Sequence, residues 1–166
     1  GYMELKDYPF RRYHIKMAAP KHTFLLPEEL EKLENLELSG RHKSLAKSLD
    51  AFLFCCYTGL RYSDFINLSE RNIATIDKRP WLIFNTIKTG TEVKLPLTIL
   101  FEGKAWKLLR KHKGHLNTFF SIKPNSTVNK ELIRIGKIAG IEKHFSFHSA
   151  RHTNATLLIY RGANIT

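Results

Sequence analysis

The sequence predicts an α+β domain that is mainly helical and carries one small three-stranded antiparallel sheet. Apolar residues recur at helical spacing on both sides of residues 72–97, where β-branched and aromatic residues are concentrated instead. With 166 residues and 43% hydrophobic side chains, the chain can bury the core of one domain. Residues 1–22 show no sustained period and are interpreted as an interdomain linker or arm that leads into a domain at residues 23–166.

Two long helices and a short one are predicted before the sheet. The first begins at residues 27–29, because proline and carboxylates suit a first helical turn. Leucines follow it at helical spacing: Leu30, Leu33 and Leu36. The second has apolar residues at helical spacing over 45–56 and ends at Gly59. A short helix is predicted over Tyr62–Leu68.

Three strands are predicted in the centre, followed by three more helices. The strands are Asn72–Ile76, Trp81–Ile87 and Glu92–Leu97. Lys88–Thr91, between the last two, has the composition of a hairpin turn. Helical spacing then returns, with Gly140 and Gly162 as suitable stops. The later helices are Leu100–Lys111, Val128–Ala139 and Phe147–Arg161.

The charge distribution points to a nucleic acid as the leading partner. The net charge is +12, and residues 101–166 carry 12 basic and 3 acidic side chains, a surplus of nine. Such a concentrated surplus favours a basic face, with a merely solvated basic surface as the alternative. A membrane partner is not predicted, because no apolar run approaches the ~20 residues of a membrane span and no helix separates basic from lipid-facing residues.

The first candidate site is the start of the last helix. We predict Ser146 as its N-cap, so that His148 and Arg151 share the first turn, where unpaired N–H groups and the helix dipole favour anions. The pair would bind a phosphate, because the arginine fork matches two oxygens and histidine can donate a hydrogen bond or move a proton. A basic pair on a surface helix is the alternative.

A metal site is the rival interpretation of the same segment. His148 and His152 have the i, i+4 spacing of two zinc ligands. No glutamate follows the first histidine as in H-E-x-x-H, and Arg151 between them would repel a cation. We therefore predict no metal and assign His152 a supporting, packing or hydrogen-bonding role. Cys55 and Cys56 are expected to be buried and unbridged, which suits a reducing compartment.

Two further candidates lie earlier in the chain. Arg61 follows a glycine turn, and Asp64 comes three residues later, where its carboxylate can fix the arginine rotamer for a phosphate ligand. The alternative is a surface ion pair of little value. Lys88 at the hairpin tip is either an ordinary soluble turn residue or a mobile cation that reaches a phosphate or a leaving oxygen.

Together these segments resemble the catalytic domain of the tyrosine recombinase, or phage integrase, family. The resemblance runs from about Thr23 to the last residue and depends on three motifs in order: T-G-L-R-Y-S-D, K-T-G-T-E-V-K-L-P-L and H-S-A-R-H-T. Position by position, it implies that four residues are catalytic and that Asp64 is the acidic residue that commonly follows the first arginine. The four implied catalytic residues are Arg61, Lys88, His148 and Arg151.

The resemblance implies a metal-free and cofactor-free reaction. A tyrosine hydroxyl attacks a DNA phosphate, which gives a 3′-phosphotyrosyl link and a free 5′-hydroxyl, and the hydroxyl of a second strand later reverses the step. Arg61 and Arg151 would meet the charge that develops on the phosphate oxygens. Lys88 would protonate the leaving 5′-oxygen, and His148 would assist proton movement.

One departure from the family pattern concerns the nucleophile. The family places a further His or Trp, and then the tyrosine, downstream of H-x-x-R, past the last residue printed here. Tyr160 lies within the H-x-x-R helix, in the wrong place by that pattern. We therefore expect an integrase fragment, from a phage or mobile element, without the nucleophile and without the usual amino-terminal DNA-clamping domain.

The expected properties of such a fragment follow. It should bind double-stranded DNA without cleaving it, in the cytoplasm with the nucleoid. Family members act as tetramers on two duplexes, whereas the fragment could be monomeric. The alternative is a non-catalytic DNA-binding or regulatory protein that retains the fold.

Overall fold

A computed structural model describes residues 23–163 of the chain. The predicted arm at residues 1–22 and the last three residues lie outside the described part. The described part forms seven α-helices: α1 Pro27–Glu34, α2 Ala46–Thr58, α3 Tyr62–Ile66, α4 Lys104–Lys111, α5 Leu116–Phe120, α6 Asn125–Ile138 and α7 Ser149–Tyr160. It also forms three strands: β1 Ile73–Ile76, β2 Arg79–Asn85 and β3 Glu92–Pro96. Short 3-10 helices occupy Gly40–Leu45, Glu70–Asn72 and Leu100–Gly103.

Helix α2 is the centre of the core. Nearly every residue from Ser48 to Thr58 is buried, and helices α1, α4, α5, α6 and α7 all pack on it. Phe52 contacts two rings that precede α7, Phe145 at 5.2 Å and Phe147 at 6.3 Å. Each buried aromatic contributes roughly 1.5–3 kcal/mol, so this cluster fixes the start of α7 against α2.

The last turn of α2 leads directly into α3. Gly59 has φ 71°, in the left-handed region, and its N–H donates to the Cys55 carbonyl at 2.9 Å. Glycine adopts this conformation without the strain a β-carbon would cause. Helix α2 therefore ends at Gly59, and Arg61, two residues later, is the N-cap residue of α3. The predicted stop at Gly59 is confirmed.

The sheet is antiparallel in the order β1-β2-β3. Trp81 pairs with Ala74 on one side and with Pro96 on the other, while Leu82 faces the core. The β2–β3 loop spans Thr86–Thr91, closed by the Thr86 N–H donating to the Thr91 carbonyl at 2.9 Å. The predicted hairpin is present, and the mainly helical fold with one three-stranded sheet is confirmed.

Some predicted boundaries are wrong. The helix expected over Leu100–Lys111 is interrupted, because Phe101 and Glu102 have φ of 48° and 58°, so α4 begins only at Lys104. Helix α6 begins three residues before the predicted Val128, and α5 was not predicted. In the described part of the chain, no helix is both long and apolar enough to cross a membrane.

Candidate active site

The turn between α2 and α3 positions Arg61. Its Nη1 atom lies 3.9 Å from Asp64 Oδ2, one helical turn along α3, and the Asp64 side chain is only 2% exposed. A carboxylate so placed limits the directions in which the guanidinium can point. The geometry agrees with the pairing expected from the i, i+3 spacing.

Asp64 also holds the loop that carries Lys88. Its Oδ1 atom accepts a hydrogen bond of 2.9 Å from the N–H of Ile87, the residue before the lysine. One buried carboxylate therefore contacts both the arginine and the β2–β3 loop. Sequence spacing does not reveal this second contact, because the partner is a main-chain N–H 23 residues away.

Three threonine hydroxyls close the loop around Lys88. Thr86 and Thr89 are 2.6 Å apart at their Oγ1 atoms, and Thr89 and Thr91 are 2.9 Å apart. This chain of hydroxyls restricts the loop while Lys88 itself stays exposed. The lysine is thus carried on a braced turn beside Asp64.

The start of α7 differs from the prediction. Ser146 is not the N-cap: the N-cap residue is His148, and α7 begins at Ser149. The Ser146 N–H donates to Ser149 Oγ at 3.1 Å, so the two serines close a turn that precedes the helix. Asn129 of α6 stabilises that turn, because its Oδ1 atom accepts the Phe147 N–H at 2.8 Å.

Arg151 attaches α7 to the turn that carries Arg61. Its Nη1 atom donates to the Gly59 carbonyl at 2.9 Å, two residues before Arg61. Since a guanidinium has five N–H donors, others remain for an anion. The rings of His148 and His152 meet edge to face at 4.8 Å. Arg151 thus contacts the turn that leads into Arg61, and Asp64 contacts both Arg61 and the Lys88 loop.

The two cysteines lie in the core, in the last turns of α2. Cys55 and Cys56 are buried free thiols, as expected, and burial raises the pKa of both. Between residues 23 and 163, no three or more His, Cys, Asp or Glu side chains are grouped to hold a metal ion.

Among the described tyrosines, two have hydroxyls that are hydrogen-bonded to other groups, and the third lies at the far end of α7. The buried Tyr57 hydroxyl donates to Glu34, and burial with this carboxylate raises the pKa of Tyr57. Tyr62 OH donates to the Lys123 carbonyl at 2.9 Å. Tyr160 is 65% exposed at the end of α7, and nine residues of helix place it about 14 Å along the axis from Arg151.

Comparison with known proteins assigns the family. The family model described as "Phage integrase family" matches residues 23–166, and the chain belongs to this family of tyrosine recombinases. The tyrosine recombinase XerC of Rickettsia canadensis is 27% identical over 177 aligned positions, covering 91% of this chain and 53% of XerC. XerC of Rickettsia peacockii is 28% identical with the same coverage. The chain spans about half the length of the curated relatives it matches.

Solved structures share the fold. A lambda integrase (75–356) dimer bound to a COC′ core site has a TM-score of 0.68 at 19% identity, covering 92% of this chain and 57% of that one. The lambda integrase catalytic core has a TM-score of 0.63 at 21% identity, covering 84% and 85%. XerH recombinase bound to its difH substrate has a TM-score of 0.59 at 23% identity, covering 84% and 43%.

Proposed function

We propose that residues 23–166 form the phosphate-binding part of the catalytic domain of a site-specific DNA recombinase, with residues 1–22 as the arm leading into it. The main supporting observation is the bond from Arg151 to the Gly59 carbonyl, because it joins the H-x-x-R helix to the turn that carries Arg61. Two guanidinium groups on one joined pair of elements suit a single tetrahedral phosphate.

Each residue has a role in the proposed reaction. Arg61 and Arg151 bind the non-bridging oxygens and stabilise the charge that develops as a tyrosine oxygen bonds to phosphorus. Lys88 gives a proton to the 5′-oxygen as its bond to phosphorus breaks, and His148 assists the transfer. Asp64 positions Arg61 and the lysine loop. His152 supports His148 through their ring contact.

The attacking tyrosine is proposed to lie outside this 166-residue chain. In-line attack requires the hydroxyl within about 3–3.5 Å of phosphorus. Among the tyrosines between residues 23 and 163, the Tyr57 hydroxyl donates to Glu34, the Tyr62 hydroxyl donates to a main-chain carbonyl, and Tyr160 lies about 14 Å along α7 from Arg151. The chain by itself should therefore bind DNA without forming a covalent complex.

Double-stranded DNA is the proposed partner, in the cytoplasm with the nucleoid. Exposed basic residues at Lys130, Arg134 and Lys137 follow one face of α6, whose only acidic residue, Glu131, is buried. Lambda integrase has been solved as a tetramer bound to a Holliday junction, at a TM-score of 0.64 and 20% identity. By analogy, we propose that the whole recombinase, rather than this chain alone, self-associates on DNA.

A binding and trapping assay tests this function. The 166-residue chain is titrated with a nicked suicide duplex at several salt concentrations, and log K should fall by about 0.9 per phosphate contact for each tenfold rise in salt. Arg151→Lys should weaken binding, because a point charge does not reproduce the fork, whereas Arg110→Lys on the exposed face of α4 should not.

Two outcomes would contradict the proposal. Binding that does not weaken with salt would remove the DNA-phosphate interpretation. A denaturation-resistant complex that Tyr160→Phe abolishes would show that the nucleophile is within this chain.

A further inference from the structure

Asn154 occupies the contact between α7 and the last turn of α2. Its Nδ2 atom donates to the Cys56 carbonyl at 2.8 Å. Its Oδ1 atom lies where a β-carbon at Gly59 would come within 2.8 Å, so the amide packs directly on that glycine. Asn154 follows Arg151 by three residues, and both side chains therefore reach the same turn of α2.

The end of α2 needs such partners. The last four carbonyls of a helix accept no hydrogen bond from an N–H group of the same helix. Because Cys56 is completely buried, its carbonyl needs a partner from elsewhere in the protein. The Cys55 carbonyl accepts a hydrogen bond from the Gly59 N–H. The Cys56 carbonyl accepts one from the Asn154 side chain, and the Gly59 carbonyl accepts one from the Arg151 side chain. Two side chains of α7 thus donate to two main-chain carbonyls, those of Cys56 and Gly59, in the segment that leads to Arg61.

The Arg151 and Asn154 hydrogen bonds to the end of α2 differ, because only Arg151 also has a proposed role in binding the anion. Arg151 is exposed and uses one Nη1 donor on the Gly59 carbonyl, while its remaining donors are the ones available to an anion. Buried Ala150 and Leu157 hold α7 on the core, but apolar contacts have no direction and allow small sliding and rotation. The Asn154 bond is directional and is not needed for the anion.

We propose that Asn154 is a positioning residue that sets the separation of Arg61 and Arg151 by fixing α7 to the last turn of α2. This inference depends on the proposed function, in which both arginines bind one phosphate. Asn154 keeps the helix in register independently of how the Arg151 side chain adjusts to the phosphate.

The test measures how the two arginines cooperate. Inorganic phosphate is titrated into the 166-residue chain, and binding is followed by NMR at the arginine Nε–H signals. Arg61→Ala, Arg151→Ala and the double variant form a double-mutant cycle. If the two arginines hold one anion, the fold-loss of phosphate affinity in the double variant differs from the product of the fold-losses in the two single variants. The same cycle is then measured with Asn154→Leu, and again with Asn154→Asp, which keeps the shape without the donor; because the aspartate also adds a negative charge that repels phosphate, only the cooperativity of the two arginines is compared in that variant.

Asn72→Leu is the matched control. Its Nδ2 atom also donates to a main-chain carbonyl, that of Ile83 at 3.0 Å, but within the sheet region. Both leucine variants should lower the melting temperature. Only the Asn154 variants should weaken phosphate binding, by about fivefold. In these variants the fold-losses of phosphate affinity caused by the two arginine substitutions should simply multiply.

The outcomes separate the two proposals. If the wild-type chain binds phosphate without help from either arginine, the proposed function fails. If wild-type binding is cooperative and remains so in a folded Asn154→Leu or Asn154→Asp chain, the function stands and the positioning role of Asn154 is overturned.

Discussion

Replacing Asp64 separates its two contacts, because alanine and asparagine remove different parts of the side chain. Alanine removes the acceptor of the Ile87 N–H and the partner of Arg61 together. Asparagine can keep a carbonyl oxygen toward Ile87 while losing the charge. Comparing the two variants therefore assigns the stability that each contact contributes.

The expected magnitudes follow from the geometry. A fully buried main-chain N–H left without its acceptor costs about 1–3 kcal/mol, and the lower end applies here because the bond is only partly buried and Ile87 is 57% exposed. The pair with Arg61 is long at 3.9 Å and the arginine is 32% exposed, so its loss costs at most about 1 kcal/mol. Asp64→Ala should then lower the free energy of unfolding by about 1–2 kcal/mol, and Asp64→Asn by less than Asp64→Ala.

Urea unfolding followed by the fluorescence of Trp81 and Trp106 measures these values. Amide hydrogen exchange adds a local measurement: Ile87 should exchange faster in Asp64→Ala and stay close to wild type in Asp64→Asn. Glu142→Ala, at an exposed position, serves as the control and should leave both measurements unchanged.

Two results would refute this reasoning about Asp64. If asparagine costs as much as alanine, the charge and not the Ile87 bond carries the stability. If Ile87 exchange is unchanged in a folded Asp64→Ala chain, the carboxylate does not hold the lysine loop.

Three further predictions concern the scaffold. Burial raises the pKa of Asp50, but hydrogen bonds from His112 and Lys111 lower it more, so the net pKa is below its ordinary value. In the unfolded chain the pKa of Asp50 is about 3.9, so its contribution to stability is complete above that pH and is lost as the pH falls through the lower pKa of the folded chain. Asp50→Asn should therefore make the melting temperature depend less on pH at the acid end. Lys78 has φ 61° in the β1–β2 turn, so Lys78→Gly should raise the free energy of unfolding by about 0.5–1 kcal/mol in urea titrations. Gly59→Ala should lower it by at least about 1–2 kcal/mol, because the left-handed backbone is strained and the methyl group meets Asn154.

Each of these has a clear contrary result. If the melting temperature of Asp50→Asn depends on acid pH as strongly as that of the wild type, the carboxyl is not held in its charged form. A destabilised Lys78→Gly chain would mean that chain entropy outweighs turn strain. A Gly59→Ala chain of wild-type stability would contradict the close approach of α7.

Local patterns were sufficient for most of the fold. The leucine spacing of α1, the stop of α2 at Gly59 and the β-rich runs depend on residues within one or two turns, and the structure contains each of them. The roles of the candidate catalytic residues stay predictions, since the motifs and the contacts agree without testing the chemistry.

Long-range contacts explain what the sequence did not reveal. The apolar run at Leu100 continues the helical pattern, but Arg161 at the end of α7 lies over the Phe101 ring at 5.4 Å and bonds to Glu102 at 2.8 Å. These contacts hold a left-handed turn that local spacing does not indicate. Asn154 was missed for the same reason, because its partner is 98 residues earlier.

The long sequence separation across the joint between α7 and α2 predicts that this joint forms late in folding. Its two bonds link residues separated by 92 and 98 positions, so closing it requires one of the longest loops in the described chain. A chain that has formed α2, the sheet and the lysine loop but has not docked α7 holds Arg61 without Arg151. We expect a phosphate to be held by both arginines only in the last step of folding, when the Leu25 N–H, which donates to Thr153 Oγ1 of α7 at 2.9 Å, becomes protected in pulsed hydrogen exchange.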